Sequence, residues 1–470
     1  MFVGLQLGQI MSTIDGTMVA TALPTISRDL GGLSRISWVV TAYFLGQVLS
    51  LPLMGKLGDL YGRTRLWYVA IAVFITGSML CGAAGSLNQL LVFRAVQGLG
   101  GGGLGTLAMA IVADVVPARQ LGRWLGYQGA IFAVSSIVGP LVGGLFIDQL
   151  SWRWAFYINL PIALVALAIV ALTLHLPYKR IPHAIDFAGG ALLTGALTST
   201  VVLVSAGGED LAWTSPATFA LGAGAIGLGV LFVARQRRAR EPVVPLRLFA
   251  DRVVRVVLAL NLTSGILLFC GIFFLPVFLQ EVAGVSPLVS GLLLAPTMFG
   301  AAFGTLVAGH RVERVGRYRH WPIAGSVLMT IGMLLLATLG VSTPAALAIA
   351  YGGVLGLGVG FVMQTSLLAL QNSVEHRDLG IATSTALLFR ILGGAIGPSV
   401  FGAVLNAGLA DRVPRTAAVF ADALPAVFLT AVPVGLLSIV AALRLQERPL
   451  REHAHFGPDT LAAAPVVVED

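Results

Sequence analysis

Apolar residues fill this chain in long blocks separated by short polar gaps. The blocks lack the two-residue alternation of strands. A helix crossing the hydrocarbon core of a bilayer needs about 20 mostly apolar residues, within a range of roughly 17–25. Fourteen runs qualify: 2–25, 38–54, 66–86, 90–112, 124–147, 153–175, 186–206, 216–234, 253–279, 287–309, 321–341, 345–370, 380–407 and 424–443. A transmembrane barrel would show short alternating segments instead. The expected fold is therefore an all-α polytopic membrane protein with 14 transmembrane helices. No basic residue precedes the first run, which is long enough to span, so it is expected to be an uncleaved first helix.

Composition agrees with lipid as the surrounding solvent. Of 470 residues, 57% are hydrophobic and 11% charged, and the mean hydropathy is +0.91; soluble proteins carry about 25% charged residues. The net charge of +8 does not indicate nucleic acid, because the basic residues sit in gaps between runs and form no patch interleaved with aromatics. Their placement orients the chain. With the N-terminus inside, 22 of the 29 Lys and Arg fall in inside loops and the tail, five fall outside, and Arg94 and Arg390 lie within spans. Lys and Arg are retained on the cytoplasmic side, so both termini are expected there. Cys81 and Cys270 lie inside apolar runs and are expected to be packing residues. No metal and no cofactor is expected.

Two stretches of the chain repeat each other. The loop after the second run carries Gly55, Asp59, Gly62, Arg63 and Arg65; the loop after the tenth carries Gly309, Glu313, Gly316, Arg317 and Arg319, each 254 residues later. At an offset of 258, Gly98-Leu-Gly100 matches Gly356-Leu-Gly358, Arg119-Gln-Leu-Gly122 matches Arg377-Asp-Leu-Gly380, and Gly139-Pro140 matches Gly397-Pro398. The expected organisation is a six-helix half over 1–175, an inserted helix pair with its linker over 176–252, a second six-helix half over 253–443 and a cytoplasmic tail over 444–470. Transporters built from parallel repeats place their substrate between the halves and rock them around it.

At these residues the chain resembles the major facilitator superfamily, in its fourteen-helix branch of drug:proton antiporters. Gly55–Arg65 resembles the signature loop between spans 2 and 3, and Arg94-Ala-Val-Gln97-Gly98 the span 4 motif. Gly129 with Gly139-Pro140-Leu-Val-Gly143-Gly144 is similar to the span 5 motif of antiporters. Ile14-Asp15-Gly-Thr17 through Pro24 resembles the branch's span 1 motif, and Trp38 to Tyr43 the start of its span 2. The resemblance covers nearly all of the chain before Arg444 and says little about substrate.

Only three acid or base side chains fall well inside the runs: Asp15, Arg94 and Arg390. A charge at bilayer depth is costly and marks pairing or function. Asp15 suits a group that binds and releases a proton as water access alternates. Arg94 keeps its proton, and the resemblance implies that it serves proton coupling with Asp15 as partner. Arg390 either touches substrate or approaches a helix terminus. The kinked, closely packed fifth span is implied by resemblance to shape the route and limit leakage. Asp59 can pair with Arg63, Arg119 or Arg123, or sit at a helix N-terminus; the resemblance makes this loop a latch for the outward-open state. An amphipathic guest wants aromatic walls with a few polar anchors, for which Tyr43, Gln47, Asn261, Phe269, Phe273 and Gln364 are the candidates.

The resemblance implies proton-driven export of hydrophobic or amphipathic small molecules, the drug and antibiotic efflux that confers resistance. The alternative is a proton-coupled or facilitative importer of a metabolite. One buried Asp and two buried Arg favour neutral, monocationic or anionic cargo over dications. No enzyme is expected: the chain has no soluble domain, phosphate loop or nucleophile constellation, and Gly98–Gly105 follows no strand. The expected setting is a bacterial inner (cytoplasmic) membrane, with protons, a small-molecule substrate and lipid as partners and a monomeric chain.

Overall fold

Where apolar runs are expected the chain folds into helices, and several, such as Leu87–Val115 and Ala417–Leu443, outrun them. The computed structural model describes residues 1–30, 38–116, 149–174, 186–206, 215–239, 242–285, 287–409 and 416–450, with single positions between 120 and 146. Among the described residues there is no strand, and thirteen helices have fifteen residues or more. They are α1 (Phe2–Leu30), α2 (Trp38–Tyr61), α3 (Arg63–Gly82), α4 (Leu87–Val115), α5 (Asn159–Thr173), α6 (Phe187–Ala206), α7 (Pro216–Gln236), α8 (Arg252–Val277), α9 (Ala295–Val315), α10 (His320–Leu336), α11 (Ala345–Ser373), α12 (Leu379–Leu409) and α13 (Ala417–Leu443). Ten of the described helical segments are long and apolar enough to cross a membrane. The expected span 124–147, with Gly129, Pro140 and Gly144, lies largely outside the described residues; Gly139 and Gly143 are helical and buried there.

The excess length has a simple cause. A helix of 29 residues such as α4 is about 44 Å long, enough for the hydrocarbon core plus both headgroup layers. Apolar runs mark only the first of these. Asp114, expected outside a span, thus lies within the last turn of α4.

Lipid tails are as apolar as leucine, so helices associate through close packing and internal hydrogen bonds. Glycines supply the contact surfaces, and the repeated ones do so in the same way twice. A Cβ on Gly98 would strike the Tyr43 carbonyl of α2, and one on Gly100 would strike the backbone of Ala70 and Phe74 on α3. On α11, Gly356 abuts the Thr297 carbonyl of α9, and Gly358 abuts Gly325 and Met329 of α10. Gly62 and Gly316, equivalent in the repeated loops, both hold a positive φ, 91° and 74°, that other residues adopt at a cost. α8 packs on α12 through Gly265, Gly393 and Gly397. α6 and α7 pair with each other, and α6 leans on both α2 and α12.

Valine at Gly98 or at Gly356 should therefore push helices apart and cost about 1–3 kcal/mol or more. Thermal unfolding in detergent should show a lower Tm for both variants. Gly227→Val on α7, where nothing lies within 4 Å, should leave the Tm unchanged.

Candidate functional site

Asp15 of α1 and Arg94 of α4 meet with no exposure to solvent. Arg94 Nη1 donates to Asp15 Oδ2 at 2.6 Å and to Gln97 Oε1 at 2.6 Å, while its Nε reaches the Val39 carbonyl at 3.3 Å. Asp15 Oδ1 accepts from Gln97 Nε2 at 2.7 Å and from Asn159 Nδ2 at 3.0 Å. Asn159 also donates to Ser78 Oγ at 2.9 Å, and Ser78 donates to the Phe156 carbonyl at 2.8 Å. Three helices, α1, α4 and α5, meet at one carboxylate, and α3 supports Asn159 through Ser78. Gln97 follows Arg94 by three residues, so both side chains leave α4 on the same face.

The guanidinium is also shielded by rings. Its carbon lies 4.2 Å from the Tyr43 ring centroid and 5.7 Å from that of Phe156. The Tyr43 hydroxyl reaches Ser12 at 2.8 Å to Oγ and donates to its carbonyl at 3.0 Å; Gln47 Nε2 donates to Ser12 Oγ at 3.2 Å. Tyr43 and Gln47, candidates for substrate contact, lie beside the pair and bond Ser12, and Tyr43 is buried. On the neighbouring face of α1, Gln9 accepts from Gln128 at 3.2 Å.

A second charged cluster joins α2 to α12. Asp59 accepts from the backbone N–H groups of Gly380 and Ile381, each at 3.1 Å, in the first turn of α12, where unpaired donors and the helix dipole favour an anion. Arg63 Nη2 and Nε donate to Asp59 Oδ1 at 2.7 and 3.1 Å. The same guanidinium bonds Asp114 and the Ala110 carbonyl of α4. Gly55 lies so close to α12 that a Cβ would strike Ser384 and the Gly380 carbonyl. Arg123 does not pair with Asp59. It pairs at 3.3 Å with Glu313, in the repeated loop, and Arg123 stands 258 residues before Ile381, so both acids meet equivalent places. Arg119 lies outside the described residues. Asp378, ahead of α12, pairs with Arg247 at 2.9 Å. Burial pushes its carboxyl above the usual carboxylate range, while Arg247 and Arg377 oppose the rise.

Residues 5–398 match the Major Facilitator Superfamily. The chain belongs to that superfamily. The multidrug transporter protein MdtP of Bacillus subtilis (strain 168) is 36% identical over 423 residues, covering 90% of this chain and 78% of the relative. The efflux pump FUS6 of Gibberella fujikuroi is 35% identical over 88% of this chain and 76% of its own length. Among solved structures, the human organic anion transporter MFSD10 aligns with a TM-score of 0.66 over 95% of this chain and 98% of its own, at 18% identity. The proton:xylose symporter XylE gives 0.66 over 96% and 97%, at 16% identity. This major facilitator protein is thus a multi-pass membrane transporter and not an enzyme.

The remaining candidates of this major facilitator protein divide. Asn261 is buried and bonded to the Val257 carbonyl and to Ser366 of α11, at 2.9 and 3.3 Å, so it holds helices together. Phe269 and Phe273 stack with centroids 6.4 Å apart, and Phe273 is exposed. Gln364 is buried with an Oε1 that has no partner, and Arg390 is half-buried. Sequence reasoning missed Asp114, Asn159 and Ser78. The signal for Asp114 was its repeat mate, the polar Asn372, 258 residues later; for Asn159 it was a lone amide in an apolar run.

Breaking a buried pair from one side leaves an uncompensated charge and costs about 3–5 kcal/mol. Asp15→Ala and Arg94→Ala should each destabilise the folded protein by that order, and the double variant by clearly less than their sum. A cycle of denaturant melts measures this coupling, and additivity would contradict it. At the other cluster, Asp59→Ala should loosen α2 from α12. In a Ser384→Cys background, maleimide labelling should then rise severalfold, against the low background of the buried Cys81 and Cys270.

Proposed function

We propose that this transporter is a proton-coupled antiporter with fourteen transmembrane helices, exporting hydrophobic or amphipathic small molecules across a bacterial cytoplasmic membrane by alternating access. The observation that carries the reading is the Asp15–Arg94 pair, sealed from solvent yet built around a group that can take a proton. The names of the relatives, a multidrug transporter and an efflux pump, support the direction of transport and the broad cargo.

Arginine does not release its proton in a protein, so Asp15 is the titrating member. Protonation removes one charge of the pair and leaves Arg94 cationic. The bond between α1 and α4 then weakens, and proton binding and conformational change become one event. The moving bodies are the six-helix halves 1–175 and 253–443, with 176–252 inserted and 444–470 as tail. The Asp59 cluster is the latch at the cytoplasmic end, on the side where 22 of 29 Lys and Arg fall. It closes through hydrogen bonds to one helix end, which can break and reform. A pH difference supplies about 1.36 kcal/mol per unit and the membrane potential about 2.3 kcal/mol per charge per 100 mV. One proton thus sustains an export gradient on the order of a hundredfold, about 2.7 kcal/mol.

Everted vesicles containing the protein should release protons when an amphipathic dye such as ethidium is added. Asp15→Asn should abolish that release while the protein remains folded by gel filtration. Normal proton-coupled transport by Asp15→Asn would sink the assignment.

A further inference from the structure

Arg390 sits well inside α12, eleven residues past its first residue Leu379, or about 17 Å along the axis. Among the described residues its guanidinium makes no ion pair and no hydrogen bond. The helices packed against α12 explain why no carboxylate reaches it. α6, α8 and α11 contain no acid. Asp59 of α2 and Asp114 of α4 lie at the far end and are already bonded to Arg63. Asp422 lies in the second turn of α13, which starts beside the opposite end of α12, roughly 20 Å away along the axis. A cation at this depth without a counter-charge is costly, and nothing built into the helices around α12 removes that cost.

Thr383 accepts a hydrogen bond from Gln371 of α11 at 3.0 Å, near the turn joining the two helices. Arg390 stands seven residues after Thr383, and Gln364 seven residues before Gln371. Two helical turns return each to the same face, so the antiparallel helices hold Arg390 and Gln364 level with each other. They do not bond each other, and the buried Gln364 Oε1 has no partner at all. One turn beyond Arg390, the Phe269 ring lies over Gly394, where a Cβ would strike it, and Phe273 stacks behind that ring.

We propose that Arg390, Gln364 and the Phe269–Phe273 wall bind an organic monoanion, a carboxylate on an aromatic or apolar body that also offers a hydrogen-bond donor. This deepens the efflux reading and rests on it. The carboxylate supplies the counter-charge of Arg390, the donor satisfies Gln364, and the body stacks on Phe269. The repeat supports a dedicated role, since the position equivalent to Arg390 in the first half is Phe132. Arg390 is thus a specificity residue, separate from the Asp15–Arg94 pair.

The test uses purified full-length chain in proteoliposomes with an imposed pH gradient and three fluorescent probes: 2-anthroate, its methyl ester, and ethidium. The wild type should move anthroate with a KM at least about tenfold below that of the ester. Arg390→Gln should raise the anthroate KM by about tenfold or more and not raise that of cationic ethidium, and Arg390→Lys should recover most of the loss. If the wild type moves ethidium but not anthroate, the monoanion proposal falls and the efflux reading stands. If it moves none of the probes, the efflux reading falls with it. Equal losses for anthroate and ethidium in a folded Arg390→Gln protein would also overturn the proposal. Should Arg390→Gln not fold, the wild-type ratio and Arg390→Lys decide it, because indifference of the wild type to the probe's charge contradicts the assignment.

Discussion

The Asp15–Arg94 pair governs the first half of this transporter because neither charge can exist there alone. Taking an ion out of water carries a penalty of several kcal/mol even after relaxation, which the partner offsets only with good geometry and further hydrogen bonds. Gln97 and Asn159 provide those bonds to the carboxylate, and the Tyr43 face covers the cation. The supporting residues come from α2, α4 and α5, with Ser78 of α3 holding Asn159 in place. Five helices thus contribute to the surroundings of one buried ion pair.

Two kinds of contact then divide the labour. Within a half, helices touch backbone to backbone through glycine, as at Gly98 on Tyr43 and Gly356 on Thr297. Such contacts depend on shape, do not titrate, and resist sliding. Between α2 and α12 a close glycine approach at Gly55 is joined by a charged contact, the Asp59 carboxylate receiving the backbone N–H groups of Gly380 and Ile381. Its energy comes from directed bonds at the bundle end, where water can replace them.

Much of this was legible in the chain. The helices follow from apolar runs, and the repeated Gly-Leu-Gly announced two crossings that the structure builds alike. The Asp15–Arg94 partnership was implied by the family resemblance of their motifs, and the two side chains meet at 2.6 Å. What was not legible has physical causes. Hydropathy stops at the first charge, so Asp114 was assigned to a loop although α4 continues to Val115. Arg123 was one of three candidate partners for Asp59, and only the tertiary arrangement sends it to Glu313. An aromatic such as Tyr43 looks the same in a sequence whether it lines a cavity or covers a cation. A polar side chain between apolar helices can anchor a guest or join helices, and the sequence does not show that Asn261 bonds Ser366.

The repeat shows where chemistry has been added to scaffold. At the register that matches Gly55 with Gly309, Asp15 corresponds to Phe269; at the register that matches Gly98 with Gly356, Arg94 corresponds to Gly352 and Gln97 to Leu355. The second half therefore has no counterpart of the ion pair. It carries instead an arginine at 390 where the first half has Phe132, beside the very phenylalanine that replaces Asp15. Features shared by both halves, the glycine seams and the positive-φ turns, are those any rocking bundle requires. Features found in one half only are charges at depth, which folding alone would eliminate. On the proposed function, the protonatable charge belongs to residues 1–175 and the unneutralised cation to residues 253–443. A proton and an anionic guest would then act on different bodies, which lets the occupancy of each favour a different relative position of the two.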